Sequence, residues 1–387
     1  MSKVCIFTSV HKPFDVRVFH RQAVSLAAAG YEVVLLAHAD FAVEKKLGVT
    51  VRGIARPASR WRRLSGLLAF YALCKKENAD VYHFHDFELL PIGWWLKKRT
   101  GRRVIYDCHE NYPETAYERA WLPDWIRPLL SRFIAWLEPA LARSLDGVVC
   151  VVPDQQARLQ QAGCRTLLIR NLPRLEVFAA AWDRQPEKQN QIVYLGGLSR
   201  VRGARMMVDI MVELNRTHAQ IQLLCVGPFN EPFVETETKE YVAQKGMAEH
   251  IRYIPYVPHE EVADYLVRSR VGLIPWQPSL QTQKMVNPNK VFEYMACGLP
   301  LVASDLPSLK HILVQSQAGL VAKADDAADH AAAIRRLLDD PELAGQLAAN
   351  GRQYVYATHN WAREGEKLIA FYNGLFVAGD PDVDHRS

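Results

Sequence analysis

Short apolar runs recur along the whole chain, and stretches with helical spacing separate them. KVCIFTS (3–9), YEVVLLA (31–37), VTVRGI (49–54), DVYHFHD (80–86), RRVIYDC (102–108) and DGVVCVV (146–152) make up a first series. IVYLGGL (192–198), IQLLCVG (221–227), IRYIPYV (251–257), VGLIPW (271–276), LVAS (301–304) and GLVAKA (319–324) make up a second. Strands this short and this continuously apolar are buried on both faces, which requires helices above and below a parallel sheet. The intervening segments supply them: amphipathic spacing predicts helices over Val16–Ala29, 62–76, up to Arg99, within 114–143, and at 203–217, 233–246, 259–268, Asp326–Leu338 and 360–376. Gly30 closes the first of these before YEVVLLA begins.

Two series imply two α/β domains, each a doubly wound parallel sheet of Rossmann-like type, facing each other across a cleft. The polar run AAAWDRQPEKQNQ (179–191), with Pro186 inside it, reads as the linker. The expected division is therefore an N-terminal domain over 1–182 and a C-terminal domain over 183–358. A last helix, 359–377, is expected to pack back on the N-terminal domain, ahead of a disordered tail, 378–387. At 387 residues each domain is large enough to bury its own core.

Composition narrows the class. Hydrophobic content of 49% and charged content of 23% are those of a globular protein, and no apolar run reaches the ~18–20 residues of a membrane span. Seven cysteines without a Cys-x-x-Cys pair agree with a reducing, cytoplasmic setting; Cys5, Cys108, Cys150 and Cys225 lie in strand-like runs and read as buried thiols. Residues 1–176 hold 26 Lys and Arg against 17 Asp and Glu, whereas 177–387 hold 21 against 25. Six of the nine tryptophans also fall in the first part, so one half is suited to meeting something anionic. The basic residues are not interleaved with a nucleic-acid-binding motif, which excludes that class.

Candidate chemistry sits in loops after strands, where doubly wound folds bind ligands. In KMVNPNKVFEYMACGLPLVASD (284–305) an Asn/Pro-rich loop enters a short helix over Lys290–Ala296, Gly298 and Pro300 stop it, and LVAS follows. A helix start offers free amides to a phosphate, Lys290 adds a cation, and Glu293, one turn on, can bind hydroxyls. YLGGLSRVRG (194–203) pairs Gly196 and Gly197, which leave room for phosphates, with Arg200 and Arg202; the competing reading is a tight turn with solvated arginines. It matches neither the Walker loop nor G-x-G-x-x-G. Strand alternation places His83 and His85 on one face with Asp86 and Glu88 beyond, which is half of a metal site or a polar cleft lining. His109, after RRVIYDC and beside Glu110 and Glu114, can reach a substrate hydroxyl or phosphate, or hold its own loop.

PFDVRVFHRQAVSLAAAGYEV, HDFELLP, VIYDCHENYP, IRNLP, YLGGLSRVRG and, most specific of all, VFEYMACGLPLVASD resemble, in that order along the chain, patterns of the family 4 glycosyltransferases of GT-B architecture. The resemblance runs nearly end to end. It implies a retaining transferase that needs no bound metal or cofactor. Such an enzyme moves a sugar from a nucleotide diphosphate donor (UDP-, GDP- or dTDP-linked) on the C-terminal domain to a glycan or lipid-linked acceptor on the N-terminal domain. Bacterial cell-surface polysaccharide synthesis is the setting it suggests. By position, Arg202 matches the cation that neutralises the diphosphate, Lys290 a cation near phosphates or sugar, and His109 the histidine that meets the donor sugar. Glu293 matches the ribose carboxylate, and Tyr256 and Val257 the base-binding backbone. Gly196, Gly197, Arg200 and Asn289 complete the donor side; His11, Asp15, Arg17, Asp86, Glu88 and Glu110 form the acceptor side.

Three positions depart from the family pattern. Gly197 stands where an arginine is usual, HKPFD replaces a glycine-rich first loop, and Met285 replaces a sugar-reading glutamate, leaving Asn287 or Asn289 to contact the sugar. The same architecture admits a nucleotide-sugar epimerase, and Met285 admits a non-catalytic sugar-nucleotide binding subunit. Arg56, Arg60, Trp61, Arg62, Arg63, Leu64, Leu67, Leu68, Lys75 and Lys76, with Trp121 and Trp125, compose a basic, aromatic-edged segment suited to an anionic membrane surface, peripheral on the inner face of the cytoplasmic membrane.

Overall fold

In the computed structural model every apolar run named above contributes a strand. The structure describes residues 1–55, 60–118, 123–279, 282–283 and 288–377. The chain divides into two units, Met1–Asn171 with Ala362–Ser387, and Leu172–Trp361. The division falls ahead of the polar run 179–191, because the helix Leu175–Asp183 buries Phe178 and Ala181 in the core of the second unit.

The first unit carries β1 (Lys3–Phe7), β2 (Glu32–His38), β3 (Val43–Lys46), β4 (Val49–Ile54), β5 (Val81–His85), β6 (Arg103–Cys108), β7 (Gly147–Cys150) and β8 (Thr166–Leu168). Their order is β3-β4-β2-β1-β5-β6-β7-β8. All pairs are parallel except β3 with β4, a hairpin that sequence periodicity does not reveal, since VEKK is polar and its side chains are largely exposed. The direction in which successive strands are added reverses between β1 and β5, parallel neighbours whose Phe7 and Phe84 lie in register, so the loops after these strands open at the switch point.

The first helical segment differs from the expected α-helix. Val16–Ala23 is π-helical and only Val24–Ala28 (α1) is α-helical. Asp15 caps it, its carboxylate accepting from the amides of Arg17 and Val18 at 2.8 and 2.9 Å. Helices α2 (Arg60–Glu77), α3 (Leu90–Thr100), α4 (Tyr112–Glu118), α5 (Ile126–Ala142) and α6 (Pro153–Gln161) complete the sequence-local part of this unit. The chain's last helix, Trp361–Val377, belongs to it as well. Phe371 covers Gly147, where a Cβ would come within 2.2 Å of its ring, and the Arg170 guanidinium holds buried Glu364 at 2.9 and 3.2 Å.

The second unit carries β9 (Gln191–Leu195), β10 (Gln222–Val226), β11 (Ile251–Ile254), β12 (Val271–Ile274), β13 (Leu301–Ser304) and β14 (Gly319–Ala322), ordered β11-β10-β9-β12-β13-β14 and wholly parallel. Here the switch point lies between β9 and β12. The core joins Ile192, Val193, Leu223, Leu273, Val302 and Phe292, each at most 1% exposed, and each such burial contributes roughly 1.5–3 kcal/mol. The helices Pro307–Ser316 and Pro341–Thr358, which the sequence reading did not place, cover β13 and β14. All seven cysteines are free and buried, and among the described residues no helix is long and apolar enough to cross a membrane.

Candidate active site

In the second unit the switch point gathers four chain segments. β9 ends at Leu195 and turns through Gly196 at φ +108°. The helix Asn289–Ala296 approaches that turn, tied down by Tyr294, whose hydroxyl accepts from the Leu195 amide at 2.7 Å. Lys290, in its first turn, is 8% exposed and extends over the Tyr194 ring (4.0 Å) and the Trp276 ring (5.2 Å), at the ends of β9 and β12. A Cβ on Gly196 would stand 3.0 Å from the Lys290 Nζ, and one on Gly197 would stand 3.2 Å from Arg202 Nη1. Glycine at 196 lets the Lys290 ammonium approach the turn, and glycine at 197 admits the Asn230 side-chain oxygen, nearest of all to that place, with the Arg202 guanidinium beside it.

The Lys290 ammonium has no hydrogen-bond partner among the described residues. Burial, then the neighbouring Arg202, pull its pKa well below the usual lysine range, against the attraction of Glu293. A buried unpaired cation is costly unless something anionic completes it. Glu293 lies one turn further along, 8% exposed, and Asn289 opens the helix. Arg200 is not part of this group: its guanidinium is exposed, forks onto Glu237 at 2.6 and 2.7 Å and lies over Phe233. Tyr256, 77% exposed, and Val257 follow β11, two strands from β9. Met285 and Asn287 lie outside the described residues. Sequence reasoning missed Tyr194 and Trp276; the one signal was an aromatic ring at each strand end.

The first unit has its own polar cluster at the ends of β1, β5 and β6. Register sets His85 opposite Asp107, and both are fully buried with His83. Asp107 is the centre: Arg17 Nη2 donates to both of its oxygens at 3.1 Å, Gln22 Nε2 donates to one, and His109 Nδ1 lies 3.5 Å away. The π-helical turn explains the pair Arg17 and Gln22. Five residues are about 140° apart on an α-helix but only about 50° apart, on one face, when bonds run from i to i+5. His85 Nδ1 meets His109 Nε2 at 2.8 Å, and His83 Nδ1 meets the Tyr372 hydroxyl of the last helix at 2.7 Å.

At the rim, Asp86 takes φ +78°, a region non-glycine residues avoid, and its carboxylate accepts from Thr8 Oγ1 at 2.6 Å and the Ser9 amide at 2.8 Å. Glu88 accepts from Ser9 Oγ at 2.7 Å. His11 lies between Asp86 (3.4 Å) and Asp15 (3.5 Å). Glu110 stays outside the cluster, its side chain near Thr115 at 3.3 Å and its carbonyl held by Gln155. Asp107 was missed as a site residue, although an aspartate inside an apolar strand run is itself a signal.

His83, His85 and Asp107 bring donor atoms within 4.8 Å of one another, the third group that the His83/His85 spacing lacked. The Arg17 guanidinium already neutralises that carboxylate, so a divalent cation there would face a fixed positive charge at contact distance. The donor set does not fit a metal.

Charge states in the cluster diverge. Burial, then Arg17, hold His109 down to about 4 against the pull of Asp107, and burial likewise lowers His83 to about 4. His11 goes the other way: burial opposes its charge, but Asp15, Asp86 and Asp107 outweigh it. Asp15 falls to about 2 despite burial, through His11 and its two capping amides. Below pH ~6.5 the unfolded chain binds protons that His83 and His109 refuse until about pH 4, so these residues stabilise the fold above that window and lose the contribution through it. His11 has the opposite sign and is outnumbered. The melting temperature is therefore expected to fall from pH 7 to pH 4.5, with His11 titrating above His109 by NMR; a flat melting profile or the reverse titration order contradicts these assignments.

Comparison with known proteins agrees with this architecture. Residues 16–174 match the family model described as glycosyl transferase 4-like domain, and residues 181–354 match that of glycosyl transferases group 1. The chain belongs to the family 4 glycosyltransferases. A glycogen synthase of Mycobacterium tuberculosis is 22% identical over 377 residues, covering 89% of this chain and 87% of the relative. A D-inositol 3-phosphate glycosyltransferase of Corynebacterium jeikeium is 26% identical over 331 residues, 80% and 76% of the two chains. Among solved structures, sucrose-phosphate synthase from Thermosynechococcus elongatus superposes with a TM-score of 0.72 at 22% identity, covering 98% of this glycosyltransferase and 100% of that chain. Anabaena HepE in complex with UDP and glucose gives 0.70 at 13% identity, covering 97% and 100%. The fold of this glycosyltransferase is GT-B.

Proposed function

We propose that this glycosyltransferase is a retaining, metal-independent enzyme. It moves a sugar from a nucleotide diphosphate, bound at the β9–β12 switch point of the second unit, to a glycan or lipid-linked acceptor held by the first. The observation that carries the reading is the buried Lys290 ammonium, without a hydrogen-bond partner among the described residues, beside Arg202 and against the Gly196 turn. A diphosphate supplies the missing counter-charge. Negative charge grows on the leaving diphosphate during transfer, and cations already fixed at that place stabilise it without reorganisation. Glu293 accepts from the ribose hydroxyls and Asn289 stands at the sugar end; His109, kept neutral by burial, bonds the transferred sugar. HepE binds UDP and UDP-glucose, which favours a uridine nucleotide as the donor. A cytoplasmic role in cell-surface polysaccharide synthesis fits a lipid-linked acceptor.

Incubation with labelled UDP-, GDP- and dTDP-sugars and candidate acceptors tests the reading. Free nucleoside diphosphate with glycosylated acceptor of the donor's anomeric configuration, unchanged by EDTA, is the expected result. A new nucleotide sugar instead identifies an epimerase, and binding without turnover a binding subunit. Glu293→Ala is expected to weaken donor binding about tenfold to a hundredfold by calorimetry, the worth of hydrogen bonds to a charged group. An unchanged dissociation constant removes Glu293 from the ribose site.

A further inference from the structure

Helix α5 (Ile126–Ala142) turns large apolar groups to water. Trp125 at its entry, Leu129, Phe133 and Trp136 are between 52% and 70% exposed. With 3.6 residues per turn these four, together with exposed Arg132 and Arg143, fall within an arc of roughly 100°. The opposite face buries Ile134, Glu138 and Ala142. Glu138, the one acid within the helix, is fully buried against Arg158 and the Tyr106 hydroxyl, and Asp124 at the entry pairs with Arg127 at 3.0 Å. The exposed arc thus carries two arginines, two tryptophans, a phenylalanine and a leucine, and no carboxylate.

Neighbouring helices of the same unit also expose apolar and basic groups. Helix α3, packed against both α5 and α2, shows Trp94 at 36% exposure with Lys98 and Arg99 exposed beyond it, and α2 shows Leu68, Leu73, Lys75 and Lys76. A single exposed leucine is ordinary, but four large apolar side chains on one arc of a helix mark an interaction surface.

We infer that the α5 face, with its flanks on α2 and α3, seats this glycosyltransferase on an anionic lipid bilayer. Tryptophan and phenylalanine are the side chains that enter the boundary between headgroups and acyl chains. Arginines among them keep their heads at the lipid phosphates while their stems lie on the apolar face. Each Lys or Arg near the surface adds attraction that salt screens. A second copy of the chain is a worse occupant: a two-fold interface through this face pairs the same patch with itself, so Arg132 and Arg143 would be buried against a surface that offers neither of them an acid. The basic surplus of residues 1–176 favours the same partner. This surface shares Leu68, Lys75, Lys76 and Trp125 with the basic segment singled out in the sequence, and its main face on α5 was not part of that reading. Arg56 and Trp121, and the side chains of Arg60 to Leu67, lie outside the described residues.

Flotation of the full chain with extruded phosphatidylcholine vesicles, with and without about 30% phosphatidylglycerol, tests the inference, with circular dichroism checking the fold of each variant. The wild type is expected to float with the anionic vesicles and to come off at high salt. The triple variant Trp125→Ser, Phe133→Ser, Trp136→Ser, and separately Arg132→Glu with Arg143→Glu, are expected to weaken binding at least about tenfold while remaining folded. No flotation of the wild type, equal flotation on neutral vesicles, or binding unchanged in both variants overturns it. So does a solution dimer that the triple variant converts to monomer. Sugar transfer to a soluble acceptor needs no vesicle, so failure of the membrane surface is separable from failure of the donor site.

Discussion

Lys290→Met is expected to lower kcat by about 10²–10³ while leaving the melting temperature unchanged or raised. The two halves of that result have one cause. In the free protein the ammonium is buried over Tyr194 and Trp276 without a hydrogen-bond partner among the described residues, so an unbranched thioether of similar length fills the same space and removes a desolvated cation. During transfer the same cation stabilises the leaving diphosphate, and methionine cannot. Arg202→Ala is expected to show a comparable loss, since Arg202 stands beside the same space. A folded Lys290→Met enzyme with near-wild-type turnover removes Lys290 from the mechanism. A folded protein that loses several degrees of melting temperature shows instead that the lysine is structural.

Asp107→Asn is expected to cost about 3–5 kcal/mol of stability, a large share of the roughly 5–15 kcal/mol that holds a domain together. The loss arises because Arg17, 6% exposed, keeps its charge and loses the carboxylate that takes two of its bonds. Adding Arg17→Met is expected to recover part of the loss, because a buried pair replaced on both sides leaves no orphan charge. Urea unfolding of the two single variants and the double variant measures the coupling. Additive losses would show that the pair does not act as a unit.

Much of the second-unit site was legible beforehand, and for a local reason. Lys290 and Glu293 are three residues apart, so one short helix presents both whatever else happens, and Gly196, Gly197 and Arg202 share one loop. Arg200 shares that loop too, yet its side chain turns to Glu237 on a helix more than thirty residues away, which no local pattern announces. In the first unit, strand alternation placed His83 and His85 together, and their rings stack at 4.9 Å. It did not disclose that Asp107 would stand between them and Arg17, because register across three strands sets that contact. The π-helical form of Val16–Ala23 was equally hidden: its apolar spacing reads as an ordinary helix, and only the bonds of Arg17 and Gln22 to Asp107 show what the extra residue per turn is used for.

By itself the sequence determined most of the strands and helices, that two sheets form, and that their strands are parallel, with the polar β3–β4 hairpin and two helices of the second unit left out. Those outcomes follow from which face of each short segment is apolar, and that is written in neighbouring residues. The tertiary structure alone decided which distant side chains share a charge. Tyr194, Arg202, Trp276 and Lys290 meet because β9 and β12 lie side by side at the switch point. Arg17, His83, Asp107, His109 and Tyr372 meet because β5 pairs with β6 and the last helix returns to the first unit. Packing of separated segments sets those distances, and electrostatics, which falls off with distance and with solvent, can act only once packing has set them.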